Sequence, residues 1–253
     1  MIKKNAIFIG EDLREQEAIK TLINSINAYN SNPEEPLILT PLSTQQLRDE
    51  KIFTRRHLVG SSGQMIDLID SRPFSTDFSF TRFLVPYVAD SEGIDGWVIF
   101  MDCDFLCLYD VSTLFKELEE SYSQFPVVVV KKDFKSKNDT KMFGTAQNNY
   151  NKKLWSSFMC FNMKHKDFLL EGLSPDNVNT ATGAWLHQFK WVANEDLIGG
   201  LPEQFQFIPE YDDGRVENPF FIHYTEKAPW FKGNNKLDPN HFASKLWRTH
   251  NNA

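Results

Sequence analysis

Runs of consecutive apolar residues alternate along this chain with stretches whose apolar positions recur every three or four residues. Ala6 to Ile9, Trp97 to Met101, and Val127 to Val130 after Pro126 are apolar without interruption. Such runs suit strands buried on both faces, as in a parallel sheet covered by helices. Ala18, Leu22, Ile23, Ile26 and Tyr29 fall at helical spacing with polar residues such as Lys20, Asn24 and Asn27 between them, which predicts an amphipathic helix. Asn30 to Pro36 is a turn-rich break, Leu37 to Leu39 reads as a second strand, and Ser43 is placed to cap a short helix. The stretch through Ser61-Ser62-Gly63 is polar and without period. Thr81 to Val88 reads as helical, with Pro86 either bending it or standing in the first turn of a successor. Val111 to Leu118 predicts a helix, and Phe158 to Asn162 and Phe220 to His223 two later strands. Strands alternating with helices predict an α/β fold with a mostly parallel central sheet flanked by helices. No repeat or low-complexity linker divides the chain, so a single domain is expected.

Composition narrows the function classes. The 253 residues are 41% hydrophobic and 24% charged, the balance of a globular protein long enough to bury a substantial core. Its 22 phenylalanines and 6 tryptophans fill a core or stack on bases and sugar rings. A net charge of −7 argues against a general nucleic-acid binder, which needs a basic footprint. Lys131, Lys132, Lys135, Lys137, Lys141, Lys152 and Lys153 cluster against only Asp133 and Asp139; this is a solvated loop or one lying near an anionic substrate. Cys103, Cys107 and Cys160 sit in apolar surroundings and read as reduced, buried thiols. The apolar stretch after Lys3 and Lys4 is too short for a signal-peptide core, and no run approaches the roughly 18 residues of a membrane span. A cytoplasmic protein without a transmembrane segment is expected, with a membrane-associated acceptor left open.

Candidate chemistry begins at Asp102-Cys103-Asp104, directly after the run Trp97 to Met101. In an extended backbone, residues two apart face the same way, so the two carboxylates can converge. Open parallel sheets collect ligands at the carboxyl ends of their strands. Two hard oxygen donors there suit Mg²⁺ or Mn²⁺ bridging the phosphates of a nucleotide. The alternative is a polar strand end with one Asp capping the following turn. Haloacid-dehalogenase-type phosphatases also carry an Asp-x-Asp after an apolar strand, usually near the N-terminus and with Thr or Val two residues on. Here the pair is at mid-chain and that position is Leu106.

Five segments in order resemble the GT-A glycosyltransferases, specifically their family 8-like, retaining group. They are Ile7-Phe8-Ile9-Gly10-Glu11-Asp12-Leu13-Arg14-Glu15, Thr81 to Pro86, Phe100-Met101-Asp102-Cys103-Asp104, Leu186 to Trp191 with Ile198 to Pro202, and His223-Tyr224-Thr225 with Pro229-Trp230-Phe231. The resemblance runs nearly end to end. It implies a single GT-A domain over residues 1–253, with 1–110 mainly nucleotide-binding and 111–253 mainly on the acceptor side. Asp102, Asp104 and His223 are the implied metal ligands. Ile9, Gly10, Asp12, Arg82, Asp102, Cys103, Lys227 and Trp230 are the implied donor contacts. The segment from His223 to Trp230 departs from the family's His-x-x-Gly-x-x-Lys-Pro-Trp: it lacks the glycine, and Lys227 stands two before the proline.

The function so implied is transfer of a sugar from a nucleotide-diphosphate donor, a UDP-sugar by resemblance, to a hydroxyl of a glycan, lipid or protein. Mn²⁺ or Mg²⁺ assists, and configuration is retained. Arg82, charged and in an apolar context, pairs with a carboxylate or grips phosphate. Glu195 and Asp196 are the carboxylates placed to meet sugar or acceptor hydroxyls, or they lie in the first turn of a helix. Gly10 permits a turn or a close ligand approach, and Asp12 accepts from base or ribose or caps the next helix. Trp185, His187, Trp191 and Trp230 stack on sugar faces or fill the core. Two other classes compete: a sugar nucleotidyltransferase, which would show a glycine-rich N-terminal loop where this chain has only Gly10, and a carbohydrate-binding protein without turnover.

Overall fold

The computed structural model describes residues 4–32, 37–61, 63–134 and 152–252. Part of the Asn30–Pro36 break, Ser62, and Lys135, Lys137 and Lys141 lie outside them. The strands are β1 (Ala6–Gly10), β2 (Ile38–Leu42), β3 (His57–Val59), β4 (Met65–Asp67), β5 (Pro73–Phe74), β6 (Trp97–Met101), β7 (Phe105–Cys107), β8 (Val127–Val130), β9 (Phe158–Asn162), β10 (Ile198–Leu201) and β11 (Phe221–His223). The α-helices are α1 (Gln16–Tyr29), α2 (Thr44–Asp49), α3 (Val85–Ser91), α4 (Val111–Ser121), α5 (Lys166–Gly172), α6 (Pro175–Thr180), α7 (Gly183–His187) and α8 (Phe242–Asn251).

The central sheet has the order β10-β8-β9-β6-β1-β2. β9 runs antiparallel to both neighbours and the other pairings are parallel. Every residue of β1, β6, β8 and β9 is buried, which is why these strands read as unbroken apolar runs. The sheet draws strands from both sides of residue 110, so the two halves share one core. α1 covers it with Ala18, Ile19, Leu22 and Ile26, and burying each of the larger three contributes about 1.5–3 kcal/mol. Pro86 stands in the first turn of α3, after a 3-10 turn over Thr81–Leu84, so it starts a helix rather than kinking one. Ser43 caps α2, its side chain accepting from the Gln46 amide.

The polar stretch after residue 56 folds into a three-stranded antiparallel sheet, β3-β4-β5, where the sequence shows no period. A buried ion pair anchors it. Arg55 donates to both oxygens of Asp67 at 2.8 and 2.6 Å and to the carbonyls of Val178 and Ala181 at 2.9 and 2.6 Å. These bonds satisfy the charges that burial would otherwise penalise. A second ribbon pairs β7 with β11, setting His223 opposite Phe105. Below it a smaller core gathers Leu106, Phe207, Ile222, Tyr224 and Trp247. Lys132, from the lysine cluster, is buried against Asp212 rather than solvated.

Candidate functional site

In the parallel part of the sheet, β2 lies on one side of β1 and β6 on the other, so the strand order reverses between β1 and β6. Ligands of α/β sheets bind outside the strand ends at such a point, and Asp102 follows β6 there. The chain does not stay extended: Cys103 and Asp104 form a turn before β7. The two carboxylates therefore converge through that turn rather than through the alternation of a pleated strand. The β7–β11 pairing then delivers His223, and the Tyr224 amide donates to the Asp104 carbonyl at 2.9 Å. Ligand atoms of Asp102, Asp104 and His223 all lie within 4.8 Å of one another.

Each member is held from behind. The His223 ring stacks on Phe105 with centroids 4.2 Å apart and planes 10° apart. Its Nδ1 is 3.2 Å from the Gln206 side-chain amide, while Nε2 is 3.2 Å from Asp104 Oδ1. The Asp102 amide donates to the Ser157 carbonyl at 2.9 Å. Arg82 Nη1 lies 2.8 Å from Asp102 Oδ1 and donates to the Ser156 carbonyl at 2.8 Å. Burial pulls the Arg82 guanidinium below its usual pKa, and Asp102 and Asp104 oppose that shift. Cys103 lies between the carboxylates in sequence, but burial pushes its thiol well up, so it stays protonated and unsuited to a cation.

An open cleft of about 690 Å³ leads to this group. Asp70, Arg72, Ser79 and Phe80 form part of its wall, and Ser156, Ser157 and His187 another part. Arg82, Asp102 and His223 line its inner end. Among the described residues no helix is long and apolar enough to cross a membrane.

Other residues singled out in the sequence stand elsewhere. Ile9 is fully buried in the core. Gly10 is needed for packing, because a Cβ there would sit 2.5 Å from the Phe78 ring. Asp12 is buried, accepts from the Arg14 amide at 3.0 Å, and binds the Arg14 guanidinium through both oxygens. It caps a turn rather than presenting an open carboxylate. Glu195 is 56% exposed and pairs with Lys152 at 2.7 Å, and Asp196 is exposed beside Asn194. Neither lines the cleft. Lys227 pairs with Glu210 at 2.6 Å, and Trp230 stacks on Trp247 at 5.2 Å in the smaller core. Trp191 packs on Phe189 and Trp185 lies against the main core, so of the four suggested stacking residues His187 alone lines the cleft. Gln206, Phe105, Ser156 and Asp70 were not legible as site residues. Gln206, Ser156 and Asp70 are common residue types brought in from distant segments, and Phe105, though it directly follows Asp104, gains its role only when the β7–β11 pairing sets His223 against it.

No family model matches this chain. Protein CDI of Arabidopsis thaliana is 35% identical to it over 229 residues, covering 89% of this chain and 79% of the relative. The chain belongs to the CDI family. Solved structures relate this CDI-family protein to glycosyltransferases by fold. Glycosyltransferase GlyE of Streptococcus pneumoniae TIGR4 superposes with a TM-score of 0.54 at 18% identity, covering 99% of this chain. The chain spans 60% of GlyE's own length. Galactosyltransferase LgtC, solved with donor and acceptor sugar analogs, superposes with a TM-score of 0.55 at 14% identity, covering 98% of this chain and 95% of its own. The CDI-family chain thus has a GT-A-like α/β fold with a mixed, mostly parallel sheet.

Proposed function

We propose that this protein is a metal-dependent glycosyltransferase that moves a sugar from a nucleotide-diphosphate donor to a hydroxyl acceptor. The observation that carries the reading is the convergence of Asp102, Asp104 and His223 at the switch point of a GT-A-like sheet. Two carboxylates and an imidazole fit Mn²⁺ or Mg²⁺, and their ligand atoms are close enough to share one ion. A divalent ion bound there supplies positive charge where negative charge develops on the departing diphosphate.

The chain's own groups do the rest. Arg82 holds one oxygen of Asp102 and fixes that carboxylate's direction. Phe105 and Gln206 fix the plane and rotation of His223. With Arg82 and the carboxylates buried, charge interactions at the inner end act in a low-dielectric setting, where they are stronger than in water. The mixed lining of the cleft suits a sugar: Phe80 offers an apolar face, and Asp70, Ser79 and Ser156 offer hydroxyl partners. In this reading residues 1–110 are mainly nucleotide-binding and 111–253 mainly on the acceptor side; the latter contribute His223, Ser156, Ser157 and His187 to the cleft lining. The family 8-like resemblance supports a UDP-sugar donor and retention of configuration.

A thermal-shift screen of nucleotide diphosphates and nucleotide sugars, each with Mn²⁺ and with chelator, tests this. A Mn²⁺-dependent rise with one nucleotide that disappears in Asp104→Ala is the expected result. No rise with any nucleotide would overturn the reading. Nucleotide release measured with and without acceptor separates transfer from nucleotidyl transfer or binding alone.

A further inference from the structure

Lys132 stands in the lysine-rich run after β8, yet it is 2% exposed and pairs with Asp212, which is fully buried. Glu203 lies 3.4 Å from its Nζ, and Arg215 bridges Asp212 and Glu203, the latter at 3.0 Å. Replacing a buried ion pair by apolar side chains is often neutral or stabilising, so stability is a weak reason for charge at this place. The hydrogen bonds of the pair give a stronger one. Lys132 Nζ donates to the Gln206 carbonyl at 3.1 Å, and Asp212 Oδ2 accepts from the Ile208 amide at 2.8 Å. The pair thus binds the backbone on either side of Phe207.

Phe207 itself bonds to β11. Its amide donates to the Phe221 carbonyl at 2.9 Å, and its carbonyl accepts from the His223 amide at 2.7 Å. It pairs with Ile222 as a single bridge, without the continuous ladder that fixes a strand. Gln206 adds its side-chain amide, 3.2 Å from His223 Nδ1 and 3.2 Å from the Leu154 carbonyl that accepts from it. Both the backbone and the ring of His223 are therefore held by residues 206 and 207, and the ion pair holds those two in turn.

We propose that Lys132, with Asp212, is a positioning residue that sets the affinity of the Asp102, Asp104 and His223 group for its divalent ion. This rests on the metal-dependent reading. Lys132 does not line the cleft and acts on His223 through Gln206 and Phe207. Removing a residue that orients a metal ligand typically changes affinity by about 10–100-fold. Electrostatics alone predicts the opposite sign: Lys132→Met takes away a positive charge behind a cation site, which would tighten Mn²⁺ binding. Loss of positioning weakens it, so the sign of the change separates the two.

The test titrates Mn²⁺ into the full chain with excess UDP and follows the free ion by EPR, against UDP alone. In Lys132→Met the Kd for Mn²⁺ rises about 10-fold or more. Asp212→Asn, whose side-chain oxygen can still accept from the Ile208 amide, raises it less and serves where Lys132→Met does not fold. Arg55→Ala removes a different buried ion pair, that with Asp67, and lowers stability while leaving the Kd at the wild-type value. Unchanged or tighter Mn²⁺ binding in Lys132→Met, or in Asp212→Asn where the first variant does not fold, would overturn the proposal. So would an equal weakening in Arg55→Ala, which would make the effect one of general loosening. A wild type that takes up no Mn²⁺ would instead overturn the metal-dependent reading.

Discussion

Replacing Gly10 by alanine separates two explanations of a glycine at the end of β1. A Cβ there would lie 2.5, 2.6 and 2.9 Å from Cγ, Cδ2 and Cδ1 of Phe78. Carbon atoms rest at about 3.5–4.0 Å, so the ring would have to retreat by about 1 Å. It has little room: Phe78 is 1% exposed and packs 6.2 Å from the Phe100 ring. Its carbonyl also accepts from the Arg82 amide and, at 3.3 Å, from Arg82 Nε. Overpacking of this kind costs about 1–3 kcal/mol. In a chain of this size each kcal/mol lowers Tm by about 2–4 °C, so Gly10→Ala should melt roughly 2–12 °C below wild type. The assay is calorimetry without nucleotide or metal, repeated on Phe78→Leu and on the double variant. The smaller side chain should relieve the clash, so the double variant should be more stable than the two single losses predict. Wild-type melting by Gly10→Ala in the absence of ligand would refute the packing argument and return the glycine to a role in ligand approach.

Asp104→Asn and His223→Ala should each remove the Mn²⁺-dependent stabilisation by nucleotide, a loss of about 2.7 kcal/mol at a ligand concentration 100 times Kd, read by thermal shift. Arg55→Ala should cost about 3–5 kcal/mol in urea unfolding, because it leaves Asp67 charged and buried without its partner. Asp110 caps α4; burial tends to raise its pKa, but hydrogen bonds from Ser31, Thr113 and Ser112 outweigh that and hold the carboxyl below the usual range. Its folded pKa lies below an unfolded value of about 3.9, so its contribution is present above that pH and is lost as pH falls through the folded pKa. Asp110→Ala should therefore lose about 1 kcal/mol at neutral pH and show a shallower fall in stability below about pH 4, measured by urea unfolding across pH.

β1, β6, β8 and β9 of the central sheet were legible because a strand covered on both faces is apolar almost throughout. α1 was legible because its buried residues keep helical spacing. β3-β4-β5 was hidden for the opposite reason. It is held by Arg55 and Asp67 and by bonds to distant carbonyls, and such pairing leaves no local period. Lys132 looked like part of a solvated run because charge predicts exposure unless a partner is known, and its partner Asp212 is remote in sequence. β10 escaped notice because Gly199 and Gly200 thin its apolar pattern; a Cβ at Gly199 would meet Phe125 at 2.9 Å.

The Asp102–Asp104 pair was local information, two residues apart after a buried strand, but the turn at Cys103 and Asp104 that brings the carboxylates together was not. Sequence alone therefore determined an α/β sheet and a carboxylate pair at one strand end. Only the tertiary structure decided which other groups join the pair. The β7–β11 register brings His223 to Asp104, Arg82 reaches Asp102 from its 3-10 turn, and Ser156 connects that arginine to His187. It also turned Glu195 and Asp196 outward and closed Asp12 onto Arg14. The physical reason is range: hydrophobic periodicity is a property of neighbours along the chain, whereas a charged or hydrogen-bonding side chain takes its role from whichever partner folding places within about 3 Å.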